Sequence, residues 1–364
     1  MDLSLSEDEE FLAETVRSFV TRHAQTEDLV ALQKSESGFD ESWVAAMAEA
    51  GWLGALVPED QGGVGATAFQ AALIAEELGR GPVPGPFLSS SVISTLLLRA
   101  GESNELLEAV AVGEALVAPA LTPAGVGWDG LRTPAEFIGQ VNGRVTGEFS
   151  YVPYAGAATH LLVPVSREGG AVVLGIVDAQ ADGVSVRPLA GFLARNDEVV
   201  LTDAMLSATF LVSADALEDA LAQAYVTIAA YAVGGCQVLL ERCIDYSQTR
   251  HQFSVPIGKF QRVQDHIVEL VNALDAARWM TYEALWKIDD GLEGAQAAAH
   301  RAKAVAAESY VTCADAAHKV HGGIGVDPDF GVTLYTQQSR SLYDLLGAPR
   351  WHKRSMVSAL DWAA

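Results

Sequence analysis

The chain has 364 residues, half of them hydrophobic and 19% charged, which excludes a disordered segment and leaves room for two or three domains sharing a core. Lys plus Arg number 23 against 47 Asp plus Glu, a formal charge of −24 that repels nucleic acid and anionic membrane surfaces at long range. An anionic ligand would need Arg and Lys gathered locally. The three cysteines, Cys236, Cys243 and Cys313, have no metal-like spacing and indicate reduced thiols in a cytoplasmic protein. Cys236 and Cys243, seven apart, share one helix face as small core residues. The opening MDLSLSEDEEF carries acids where a signal peptide carries bases. No run reaches the roughly 18 apolar residues of a spanning segment, so neither membrane nor nucleic acid is an expected partner.

Residues 1 to about 115 read as a helical domain. Ser6 and Glu9 have capping-box spacing, and Phe11, Leu12, Val16, Phe19 and Val20 recur at helical period. A second helix carries Trp43, Val44 and Met47 and stops at Gly51; a third holds Phe69, Leu73 and Leu78 and closes at Gly79. The proline-rich GPVPGPF is an extended connector. From about 116 to 213 short β-branched runs appear at Leu161–Val165, Ala171–Val177, Val199–Thr202 and Thr209–Val212, with Gly169-Gly170 as a hairpin turn. This is a strand-rich middle domain. From about 214 to 364 long helices return: Ala216 to Tyr246, with Gly234-Gly235 as the one interruption and a pair that suggests close helix packing, then Gln261 to Asp289 and Ala295 to Val320. The helix–sheet–helix order without βαβ alternation excludes a Rossmann fold.

Three segments carry a resemblance. The first is Tyr246-Ser-Gln-Thr-Arg250-His-Gln252-Phe253-Ser-Val-Pro256-Ile-Gly-Lys-Phe260-Gln261, an Arg-x-x-Phe turn with a Pro-Ile entry to the next helix. The second is His321-Gly322-Gly323-Ile-Gly325. The third joins the run from Gly51-Trp52 to Gly62-Gly63 with Glu76-Glu77-Leu78-Gly79-Arg80. Together, in this order and spacing, they resemble the acyl-CoA dehydrogenase family over nearly the whole chain. That resemblance implies a mostly α fold with a central β domain: an N-terminal helical domain, a middle β-barrel-like domain and a C-terminal four-helix bundle. It also implies an FAD cofactor, an acyl-CoA substrate and electron-transferring flavoprotein as the electron acceptor. By similarity, Arg250, Gln252, Phe253, Phe260, Gln261, Lys319, Gly322 and Gly323 would contact an FAD held across a subunit interface. The chemistry is consistent, because an Arg fork matches pyrophosphate oxygens and a glycine turn admits a dinucleotide close to the backbone. Lys319 and Ser254 depart from the Gln and Gly usual there.

The resemblance implies a carboxylate base for the α-proton at one of two positions. Counting from Gly322-Gly323, the commoner one falls on Leu346, or on Gly347 if the register slips; the other, counted back from Arg250, falls on Ala224. None of these can accept a proton, so no catalytic residue is assigned. The segments that cradle a flavin ring in the family read here Thr122-Pro123-Ala124-Gly125-Val126-Gly127-Trp128-Asp129 and Ser150-Tyr151-Val152-Pro153, with a bulky Trp128 and a Pro153 that has no N–H. The pattern is similar to the non-catalytic subunit of heterotetrameric (α2β2) acyl-CoA dehydrogenases of bacterial steroid side-chain degradation. A homologous catalytic subunit would then be the partner and a steroid side-chain CoA thioester the substrate class. Two other classes remain open: a self-sufficient flavoenzyme with a relocated base or another reaction, and a flavin-free acyl-CoA-binding or scaffold protein. Asp344, two residues before Leu346, is expected to face solvent or cap a helix; His318 and His321 to make structural contacts at a helix end. His251 could touch a phosphate, and the basic run Arg350-Trp-His-Lys353-Arg354 could be a solvated tail, or meet coenzyme A phosphates or the partner's acidic surface.

Overall fold

The structure, a computed structural model, describes residues 4–360 apart from 104–105, 127, 129–130, 132–138, 142, 169–170 and 190–193. By packing, the chain groups into two compact units. One comprises residues 1–34, 68–84 and 225–364, the other 35–67 and 85–224.

In the first unit, α1 (Glu7–His23) starts at Ser6 with the expected capping box, each of Ser6 and Glu9 satisfying the other's backbone N–H. Helix α2 (Thr26–Lys34) follows; its short polar sequence shows little apolar periodicity, and the sequence reading missed it. The second unit opens with α3 (Glu41–Glu49), which buries Trp43, Val44 and Met47. Back in the first unit, α4 (Ala68–Arg80) runs through Gly79 rather than closing there. Gly79 is a packing residue: a Cβ on it would collide with the Tyr231 carbonyl. The proline-rich connector is shorter than expected, because Phe87–Ser94 forms a buried π-helix that leads into α5 (Thr95–Ala100) and α6 (Leu107–Ala111).

Two sheets make the middle domain. One orders β1 (Val117–Pro119), β4 (His160–Glu168), β5 (Ala171–Asp178) and β8 (Ala208–Val212). The other orders β2 (Gly139–Val141), β3 (Arg144–Pro153), β7 (Asn196–Met205) and β6 (Val184–Pro188). β4 and β5 pair antiparallel up to Glu168↔Ala171, as the hairpin reading requires, although its glycines lie outside the described residues. Phe149, Val152, Leu161, Val163, Val177, Val199 and Leu201 bury one common core. The sequence reading missed β1, β2, β3 and β6, whose alternation is broken by polar and proline residues.

Helix α7 (Ala214–Thr249) passes without a break through Gly234-Gly235. Those glycines do not interrupt the helix, but they do mark the close packing that the pair suggested. A Cβ on Gly234 would meet the Glu76 carbonyl, and one on Gly235 the Tyr310 ring, so the pair lets α4 and α9 approach. By length and composition α7 could cross a membrane, with hydropathy 1.3 over its most apolar window, yet 78% of that window is buried in the fold. After the short strands β9 (His251–Gln252) and β10 (Val255–Pro256) come α8 (Gln261–Asp289), α9 (Ala295–His321), α10 (Val332–Tyr343) and α11 (Pro349–Ala359). α7 to α10 form the C-terminal bundle. The basic run at 350–354 is not a tail. It is the first half of α11, packed on α9 with His352 fully buried. All three cysteines are buried free thiols, and burial pushes Cys243 up to about 12, which keeps it protonated.

The first unit is also tied by a polar cluster. Arg17 forks onto Glu77 at 2.6 and 3.0 Å, Arg80 reaches Glu241 at 2.8 Å, and Glu76 takes bonds from Tyr282 at 2.8 Å and Arg278 at 3.3 Å. Burial raises the Glu76 pKa despite these partners.

Candidate functional site

The end of α7 sets the first group. Arg250 N–H makes the last helical bond, 2.9 Å to the Tyr246 carbonyl, and Ile257 N–H returns 2.9 Å to the Arg250 carbonyl. Between them Gln252 pairs with Val255 in an antiparallel hairpin. Its two central residues, Phe253 (φ 52°) and Ser254 (φ 66°), both take positive φ, as a type I′ turn requires. The family's usual glycine at Ser254 is thus explained by backbone geometry rather than ligand chemistry. Phe253 is 87% exposed and meets Phe260 edge-to-face at 6.1 Å.

Among the described residues the exposed side chains of Arg250, Gln252 and Gln261 have no hydrogen-bond or ionic partner, so all their donors point to solvent. Lys319 is half exposed and lies 3.9 Å from Glu269. His251 stays local, with Nδ1 3.1 Å from the Thr249 carbonyl.

The glycine turn at Gly322–Val326 follows α9. Gly322 has φ 61°, which favours glycine, but Gly323 has no such need. At both positions a Cβ would meet nothing within 4 Å. Within this chain, then, nothing demands glycine at 323; the open space above it suits a ligand or partner lying against the backbone. Underneath, the His321 ring lies 4.7 Å from Tyr246 and 5.2 Å from Phe330, and Arg242 donates to the Phe330 carbonyl while covering the Phe330 ring at 5.4 Å. This stack packs the end of α7 against the glycine turn. Burial lowers the His321 pKa and keeps the ring neutral for packing; Nδ1 is 2.8 Å from the Ala317 carbonyl. His318 Nε2 is 2.7 Å from Thr336 Oγ1. Both histidines are structural, as expected. Sequence reading gave no packing role to Arg242, Tyr246 and Phe330, which meet only where the end of α7 comes against the segment between α9 and α10.

The base positions differ sharply. Leu346 is 5% exposed, Gly347 is buried and Ala224 is 1% exposed, and none of the three can hold a proton. Asp344 is exposed at the C-cap of α10. In the β domain, Tyr151 sits at a bulge in β3 between Phe149 and Val152, 70% exposed with φ 57°. Pro153 pairs with Asn196 at the end of that strand and offers no donor. Trp128 is half-buried; its neighbours Gly127 and Asp129 lie outside the described residues. Among the described residues, the exposed donors of Arg250, Gln252 and Gln261 and the open glycine turn fit part of a flavin dinucleotide site, while Pro153 offers no backbone donor on the segment that would face a ring.

Comparison with known proteins matches residues 6–111 to the acyl-CoA dehydrogenase N-terminal domain and residues 215–358 to the acyl-CoA dehydrogenase C-terminal domain. The chain is 28% identical over 355 residues to a 3-(aryl)acrylate reductase of Clostridium sporogenes, covering 90% of this chain and 91% of that protein. Among solved structures, the ChsE4–ChsE5 complex of Mycobacterium tuberculosis superposes with a TM-score of 0.89 at 26% identity, covering 100% and 99% of the two chains. The Tcur3481–Tcur3483 steroid ACAD, a G363A variant, gives 0.88 at 28% identity with 98% of each chain covered.

Proposed function

The chain belongs to the acyl-CoA dehydrogenase family, and from that premise we propose that it is the non-catalytic subunit of an FAD-dependent acyl-CoA dehydrogenase, paired with a homologous subunit that carries the base. The observation that carries this reading is an asymmetry. Arg250, Gln252 and Gln261 hold unpaired donors outward beside an open Gly322-Gly323 turn, whereas Leu346, Gly347 and Ala224 are buried and apolar. Both solved relatives named above are two-component assemblies by their names, one of them a steroid ACAD, which supports an α2β2 complex acting on a steroid side-chain CoA thioester.

In this reading the substrate loses a proton from the α-carbon to the partner's carboxylate and a hydride from the β-carbon, leaving a carbon–carbon double bond. Bound FAD supplies the hydride acceptor, and electron-transferring flavoprotein removes the electrons. This chain contributes binding. The Arg250 fork would pair with pyrophosphate oxygens, Lys319 would add positive charge, and Gln252 and Gln261 would add neutral hydrogen bonds. Phe253 and Phe260 would cover apolar surface and exclude water, while Gly323 would let the backbone approach without a side chain between. In a chain of net charge −24, the exposed Arg250, which has no internal partner, is a place where an anion can be held.

The test is co-expression with the homologous subunit followed by measurement of flavin per complex and the visible spectrum of this chain alone. The expected result is two flavins per tetramer and a colourless isolated chain. Four flavins per tetramer, or a yellow and active preparation of this chain by itself, would overturn the reading in favour of a self-sufficient flavoenzyme.

A further inference from the structure

A group of buried titratable side chains lies beside the 344–348 turn, and the proposed reaction uses none of them. Lys303 on α9 is 1% exposed, and burial lowers its pKa from the usual 10.5 to about 7, with Asp344 pulling the other way. His300 and His352 meet Nδ1 to Nδ1 at 2.9 Å, so one ring donates and the other accepts. Burial, then the neighbouring Lys303 and His300, drives His352 down to about 2. Tyr225 packs edge-on against His352 at 4.6 Å and tilted over His300 at 5.2 Å.

What Lys303 touches gives it a task. Its Nζ donates to the Leu342 carbonyl at 3.0 Å. Leu342 lies in the last turn of α10, where carbonyls lack an intrahelical partner and the helix dipole leaves negative charge. α10 does not end on a left-handed glycine cap; its C-cap Asp344 is right-handed (φ −102°, ψ −4°). The chain then turns sharply, with Leu346 at φ 57° and Gly347 at φ 112°. A leucine in the left-handed region persists only where its surroundings hold it. Here the supports are its burial, the Gly347 N–H to Asp344 carbonyl bond at 2.9 Å, and the backbone of Leu346 and Gly347 facing His352.

We propose that Lys303 is a positioning residue for this turn: its ammonium caps the Leu342 carbonyl in the last turn of α10 and thereby holds Leu346 inward, so that loss of the charge loosens residues 344–348. A neutral amine still donates to Leu342, but the charge-assisted bond is about twice as strong. The inward turn does not depend on which subunit supplies the base.

Hydrogen exchange of the 344–348 amides in the full-length chain, corrected for intrinsic exchange, tests this at about pH 6 and about pH 8.5 on either side of the Lys303 titration. Local protection in the wild-type chain should fall about fivefold across that range. In Lys303→Met it should be low at both values and independent of pH, while global unfolding becomes harder because no ammonium is buried. A wild-type profile that is flat, or a methionine variant that keeps the step, overturns the assignment. Should the variant fail to fold, the wild-type pair of measurements decides alone, since a merely structural lysine gives a flat profile.

Discussion

Two turns that end long helices are built in opposite senses. The hairpin after α7 and the glycine turn after α9 push polar groups and Phe253 into solvent, with Arg250 exposed and Gly323 facing open space. The turn after α10 folds inward, burying Leu346, with Lys303 donating to the Leu342 carbonyl and His352 facing the Leu346 backbone. The first arrangement leaves exposed donors without partners in the chain, where water satisfies them. The second satisfies the chain itself. The difference separates what the molecule presents to a partner from what it needs for its own packing.

The contrast can be broken most severely from the inward side. Leu346→Glu would place a carboxylate in a buried left-handed turn and should destabilise the isolated chain by about 3 kcal/mol near neutral pH. Because burial raises the folded-state pKa of that glutamate, the loss should be absent below its unfolded pKa and grow as pH rises through the folded one. A denaturant titration at two pH values measures it, and a loss that does not vary with pH would count against burial of the new group. On the outward side, Arg250→Ala should leave the melting temperature of the chain unchanged, since its side chain has no partner among the described residues. The same change should weaken flavin retention in the two-subunit complex about a hundredfold, the scale of losing charged hydrogen bonds. Equal losses in both assays would place Arg250 among structural residues. The finest probe is the glycine pair. Gly322→Ala should cost the isolated chain about 1 kcal/mol because of its positive φ. Gly323→Ala should stay within about 0.5 kcal/mol, as expected of an unconstrained surface position, yet lower flavin retention in the complex.

Much of the helical architecture was legible because apolar residues recur at helical spacing; Gln261–Asp289 was read with its observed bounds, and Ala295–His321 to within a residue. Gly79 misled because glycine reads locally as a breaker, whereas here it is required by the Tyr231 carbonyl arriving from another helix. Gly234-Gly235 was legible as a place of close helix packing, although α7 runs on through it. The 350–354 run misled similarly: its charges suggested a solvated tail, but His352 sits opposite His300, 52 residues earlier, and pins the helix. Within the candidate site, Arg250 and Gly322-Gly323 were found from their motifs. The stack of Tyr246, His321 and Phe330 that joins them has no local signature, since its members come from three helix ends and loops far apart in sequence.

Local chemistry along the chain therefore determined where helices run, which strand runs pair across Gly169-Gly170, and that Leu346, Gly347 and Ala224 cannot take a proton, because periodicity, turn residues and side-chain identity are all local properties. Only the tertiary structure decided that Arg250 and its neighbouring donors are left without internal partners, that Gly323 faces open space, and that Lys303 is buried against the end of α10. Exposure and partnership depend on which distant segments arrive at the same place, and no window of sequence contains that information.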